Sequence, residues 1–94
     1  MSQRLEFRVH ALLAMYRRGI SAEEVEEVLA HGKTIEDYPE DIPYPSRLML
    51  GWPTNRPIHV VAADNPAEQE TIIITTYEPD PERWQRGFER RKRT

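Results

Sequence analysis

The amino-acid sequence predicts a single α+β domain: an N-terminal helical hairpin packed on a three- to four-stranded antiparallel sheet, followed by a C-terminal helix. Three observations carry that prediction. Apolar residues recur at helical spacing up to Gly32, the apolar period then drops towards two, and the later apolar runs are linked too tightly for parallel crossovers. A chain of 94 residues suits one modest core, and the domain is expected to run from residue 1 to 94.

The first helix is read from "RVHALLAMYRRGIS", residues 8–21, with Leu5, Val9, Leu12, Leu13 and Tyr16 forming its apolar stripe. Gly19 ends it. Ser21 caps the second helix, Glu24 completes a capping box, and Ile20 is placed to staple against Val25. Val25, Val28 and Leu29 form the buried face of that helix, and Gly32 is its expected left-handed stop. So short a turn makes the two helices a hairpin.

Beyond Gly32, "KTIEDY" reads as a short strand ending at Pro39, and "PEDIPYPS" with its three prolines as an irregular connection. The runs "SRLMLGW", "RPIHVVAA" and "TIIITTYE" read as an antiparallel meander joined by "PTN" and "DNPAEQE". In "DPERWQRGFERRKR", Asp80 and Pro81 open a helix, and Trp84 and Phe88 lie one turn apart on it. A basic helix or tail is thus expected from about residue 81.

Cysteine is absent, which excludes disulfides and thiolate metal sites. No apolar run is long enough to span a membrane, "MSQRLEF" lacks the plan of a signal peptide, and a cytoplasmic protein is expected. The net charge of −3 is unevenly spread. Arg83, Arg86, Arg90, Arg91, Lys92 and Arg93 face one late acid, Glu89, whereas residues 1–82 carry seven basic and fifteen acidic side chains. These six cations are the candidate nucleic-acid-binding residues, with a merely solvated terminus as the alternative.

Side-chain geometry singles out further polar groups. His10 and Arg17 fall within about 20° of each other on the first helix, beside Leu13. Taking Leu48, Leu50 and Trp52 to face the helices, alternation gathers Arg47, His59 and Tyr77 on the other sheet face, provided the register holds. Metal ligation is poorly supported, since His10, His31 and His59 are far apart, and there is no phosphate loop or serine elbow. His31 is read as a favourable charge at a helix C-terminus. Metal-independent RNA cleavage fits the residue types: a base for the 2′-hydroxyl, a cation for the phosphate and an acid for the leaving oxygen. Trp52, Trp84 and Tyr77 are candidates for stacking a base, or else ordinary packing.

With His10, "RRGIS", "EEVEEVL", "IEDYP", "PSRLMLGW", "RPIHVV" and "TTYEPDPERW" laid out, the chain resembles the bacterial family named domain of unknown function 4258. That family is similar to RelE/ParE-like toxins, in company with BrnT-type and MqsR-type toxins. The resemblance implies a toxin-like component of a type II toxin–antitoxin pair, partnered by a small antitoxin, sometimes of zinc-finger type. The family's polar positions correspond to His10, Arg17, Arg47, His59 and Tyr77. A catalytic role does not follow from that correspondence. From the residue types, His59 is the expected general base or acid of an endoribonuclease, Arg47 and Arg17 the phosphate ligands, Tyr77 a positioning group or proton donor, and His10 an auxiliary. No cofactor is expected. The lysine-rich set of ribosome-dependent relatives is missing. The alternative is a non-catalytic interaction module of the same fold, recognising a partner through the acidic loop Asp37–Asp41 and the arginine-rich tail. On the RNA reading, truncation after Gly87 is expected to leave the domain folded and to flatten the slope of log affinity against log salt by up to about three units.

Overall fold

The structure, a computed structural model, describes residues 4–93. Its elements are β1 (Arg4–Phe7), α1 (Val9–Arg18), α2 (Ala22–His31), β2 (Lys33–Tyr38), β3 (Ser46–Gly51), a short 3-10 turn (Pro53–Asn55), β4 (Ile58–Asn65) and β5 (Glu70–Tyr77). The strands make one five-stranded mixed sheet in the order β1-β5-β4-β3-β2. β1 runs parallel to β5, and every other neighbouring pair is antiparallel.

The α+β class holds, but the expected N-terminal hairpin on a three- to four-stranded antiparallel sheet with a terminal helix is corrected. A strand precedes the helices, α1 packs on β5 and α2 on β3 and β4 more than on each other, the sheet is five-stranded and mixed, and the last segment is not a helix. At the N-terminus, Leu5 belongs to a strand, pairing with Thr71, and does not extend α1. Leu5 and Phe7 turn inward while Arg4 and Glu6 face water, and Arg4 closes the edge with a 2.8 Å ion pair to Glu70. At the C-terminus there is one turn and then a reversal. Asp80 accepts from the backbone of Arg83 and Trp84, as a starting helix requires, but Gly87 at φ 90° and Phe88 at φ 61° turn the chain back. Trp84 then pairs with Arg91 as a small antiparallel bridge. Gly87 is the residue that makes the reversal cheap, since it has no Cβ to oppose a positive φ.

α1 and α2 lie on one face of the sheet. Ala11, Met15, Ile20, Val25 and Val28 pack there against Met49, Ile58, Val60, Ala62 and Ile73. The capping box at Ser21 and Glu24 is present, and Gly19 ends α1 in the left-handed conformation at φ 64°. Gly32 does not take the expected left-handed form: its φ is −80° and the chain passes directly into β2. It is glycine for space, because a Cβ there would lie 2.5 Å from the carbonyl oxygens of Leu50 and Val28.

Face assignments shift where the ladders are irregular. β5 carries an extra residue opposite the Val61–Ala62 step, so that Ile73 and Thr76 both reach the helix side. On β3, Arg47 and Met49 pair with Ala62 and Val60 and share the helix face, whereas Leu48 and Leu50 share the face of Val61 and His59. The expected phase of β3 is therefore reversed. Its "LML" core reads equally well both ways because both sheet faces are buried.

One clamp ties the layers together. The Arg56 guanidinium donates to both Glu24 carboxylate oxygens at 2.9 and 3.2 Å, to the Gly19 carbonyl at 2.7 Å and to Glu78 at 3.3 Å. Thr54 adds a 2.9 Å hydrogen bond to Glu24. These donors, Arg56 first, hold the Glu24 carboxyl at about 2, below its ordinary 4.5. Glu24 is nearly buried while Arg56 keeps partial access to water, so screening reduces the energy of the pair. Glu24→Gln is expected to lower the unfolding free energy by about 2 kcal/mol in urea at neutral pH. A depressed folded value means that this stabilisation is complete above pH 4.5 and lost as pH falls through about 2, where wild type and variant should converge.

Candidate functional site

The sheet face turned away from the helices carries Leu48, Leu50, His59, Ala63 and Ile72, all buried. Residues 79–93 cover it. Trp84, 4% exposed, stands edge-on to His59 with ring centroids 4.5 Å apart. Phe88 meets Trp52 at 5.9 Å, Arg91 lies 4.8 Å over the Trp84 ring and 3.6 Å from Glu36, and Glu89 pairs with Lys33.

His59 sits at the centre of this contact and has no solvent exposure. Its Nε2 is 2.8 Å from the Phe88 carbonyl oxygen, which can only accept, so Nε2 carries the proton. Nδ1 is left as an acceptor for the Tyr77 hydroxyl at 3.3 Å. Both ring nitrogens are thus occupied, one by the segment that covers the ring. Burial, and secondarily the Arg91 charge, lowers the imidazole pKa against the opposing pull of the Phe88 carbonyl and of Glu36. Burial also raises the Tyr77 phenol, and on β2 it raises Tyr38, which donates to Glu36 at 2.5 Å, to about 12. At neutral pH these are uncharged groups in a closed contact, suited to holding a segment in place.

Of the five expected catalytic residues, the structure brings together His59 and Tyr77, opposite each other on β4 and β5. Arg47 is on the other face, in a 2.6 Å ion pair with Asp64, whose second oxygen accepts from Thr71 at 2.8 Å. Arg47 and Thr71 line a groove of about 710 Å³ with Leu5, Phe7, Glu26, Leu29 and Ala30. His10 and Arg17 are exposed on α1, in the helical layer, with the sheet between them and His59. Among the described residues no cluster of histidine and acidic side chains could hold a metal. No helix there is long and apolar enough to cross a membrane.

The six C-terminal cations are all exposed, but their segment is docked and Arg91 is engaged in docking it. The acidic loop Asp37–Asp41 is partly tied into the fold, with Ser46 donating to Asp41 at 2.5 Å.

A surface that the periodicity located and mis-oriented lies on α1. Ala11, Ala14 and Met15 face the sheet, while Val9 is 73% exposed, Leu12 49%, Leu13 47% and Tyr16 88%. The stripe read as core is the outer face. The small size of Ala11 and Ala14, which lets α1 settle closely on β5, was the available signal.

The docked segment makes the truncation after Gly87 a structural change as well as an electrostatic one. It removes the Phe88 carbonyl, Glu89 and Arg91 together, and is expected to lower stability by about 2–4 kcal/mol in urea. Since the folded His59 pKa is depressed, its contribution is complete above the ordinary value of 6.5 and lost as pH falls through the lower folded value. Wild type should therefore lose stability more steeply than His59→Gln as pH falls from 6.5 towards that lower value, measured by thermal unfolding across the range.

No curated protein and no solved structure matches the chain significantly. The sequence model of the family described as Domain of unknown function (DUF4258) matches residues 7–78, from the end of β1 to just beyond β5, leaving the covering segment outside the match. The chain, with its helical pair, its meander and its His59–Tyr77 couple, belongs to the DUF4258 family.

Proposed function

We propose that this chain is a cytoplasmic, toxin-like component of a two-protein pair that works by binding, and that it engages its partner protein through the outer face of α1. The observation that carries the reading is the exposed set Val9, Leu12, Leu13 and Tyr16. These positions are i, i+3, i+4 and i+7, the spacing by which an amphipathic helix anchors to another chain. Four large apolar groups on one short helix form a patch of the kind that marks an interaction site. A small antitoxin is the partner that the family resemblance suggests.

A second reading, metal-independent RNA cleavage, draws support from the His59–Tyr77 couple beneath a cationic segment. It requires residues 79–93 to lift, and Arg47, Arg17 and His10 would still lie on the other side of the sheet. Binding asks for no such rearrangement.

The test co-expresses the chain with the product of the adjacent gene and measures their affinity. Leu13→Glu combined with Tyr16→Ala is expected to weaken the complex at least about tenfold. Replacing His59 and Tyr77 by Gln and Phe is expected to leave it within about twofold, since neither touches α1. Growth arrest accompanied by RNA decay, abolished by the His59 change in a protein that remains folded, would give the catalytic reading precedence.

A further inference from the structure

We infer that the outer face of α1 receives an acidic amphipathic helix of the partner protein, an inference that rests on the protein-binding reading and supplies the partner's chemistry. The apolar anchors on this face are flanked within their own element by arginine and histidine and by no acid. On a helical wheel Val9, Leu12, Leu13 and Tyr16 span about 100°, with His10 and Arg17 along one border, and Arg8, the extended cap residue, stands just before the first turn. Between Phe7 and Ala22 the sequence holds three arginines, one histidine and no acid. Among the described residues, neither Arg8, His10 nor Arg17 takes part in an ion pair, and Arg18 donates only to the Thr76 carbonyl at 3.3 Å. The first turn of α1 has no acid and its cap residue, Arg8, makes no side-chain cap bond, so the positive end of the helix adds to the same field.

A complementary surface therefore presents aliphatic or aromatic anchors bordered by Glu or Asp. A second copy of this chain does not supply one. Symmetric pairing of two α1 helices would bring cations together along one seam. The exposed positions of α2 include Glu23, Glu26 and Glu27 but no large apolar stripe. Nucleic acid offers anions without a match for Val9, Leu12 and Leu13. An anionic bilayer could accept the apolar anchors, but the acids of α2 stand in the same helical layer and residues 1–82 carry fifteen acids against seven bases. A protein helix is narrow enough to meet α1 and avoid that repulsion.

The experiment uses the full chain and two labelled peptides of about 20 residues, both helical and with one leucine stripe, one flanked by Glu and the other by Lys. The Glu peptide is expected to bind at least about tenfold more tightly, with amide shifts in NMR spectra concentrated on residues 9–17. Leu12→Ser and Leu13→Ser, both at partly solvated positions, should melt within a few degrees of wild type and bind it about tenfold more weakly. Arg8→Gln with Arg17→Gln should weaken the Glu peptide about threefold and flatten its salt dependence. Equal binding of the two peptides overturns the inference, as do shifts lying away from α1. So do α1-dependent binding confined to phosphatidylglycerol vesicles, and a wild-type dimer that Leu13→Ser dissociates. Where the α1 variants lose the adjacent-gene product yet the two peptides bind alike, protein binding stands and the acidic partner does not.

Discussion

Leu48, Leu50, Ala63 and Ile72 lie on the side of the sheet that the helices do not reach, and that side has to be kept from water. Residues 79–93 do this with few apolar groups, principally Trp84 and Phe88. Much of the remaining adhesion is polar: the His59–Phe88 hydrogen bond, the Arg91–Trp84 contact, and the pairs of Arg91 with Glu36 and of Glu89 with Lys33. Because so much of the second layer depends on His59, its chemistry is committed to the fold. A ring whose two nitrogens are both bonded and whose surface is closed is poorly placed to take a proton from substrate.

The helical side is built differently. Arg56 joins the turn between α1 and α2 to the loop after β3 and to the end of β5, so the junction of the two helices is fixed by a charged clamp. α1 itself needs only Ala11, Ala14 and Met15 against the sheet. Small residues bring its axis close, and close approach leaves no room beneath for its larger apolar side chains. Those must point outward. The patch on α1 is thus the counterpart of a good fit below it, and a partner would complete the burial that the domain alone leaves undone.

What could be read in advance was local. The Ser21–Glu24 capping box, the stop at Gly19 and the four later strands are set by residues within a turn or a hairpin of one another. β1 was hidden because its partner, β5, lies at the far end of the meander and four residues are too few to display alternation. The phase of β3 was hidden because Leu48 and Met49 both enter a core, on opposite faces. His59 and Tyr77 were correctly paired since both face assignments survived the β5 bulge, whereas Arg47 followed β3 to the helix side. Gly87 in "QRGFER" was the visible sign that the last segment would turn back and not continue as a helix.

The charge pattern takes on a different meaning once the segment is docked. As a free tail, six cations beside an acidic body look like a tether for phosphate. Docked, Arg91 lies between Trp84 and Glu36, and the sequence-adjacent acid, Glu89, faces Lys33. Arg83, Arg86, Arg90, Lys92 and Arg93 remain in water on the covering layer, separated from the α1 cations by the sheet. The molecule therefore presents two basic regions on opposite faces and an acidic α2 beside one of them. A nucleic acid would have to choose between a cationic segment with one half-exposed ring beside it, Trp52, and a cationic helix that carries four apolar anchors. The helix joins several apolar anchors to neighbouring charge, the combination that protein recognition uses. The proposed binding to a partner chain rests on this difference more than on the number of arginines.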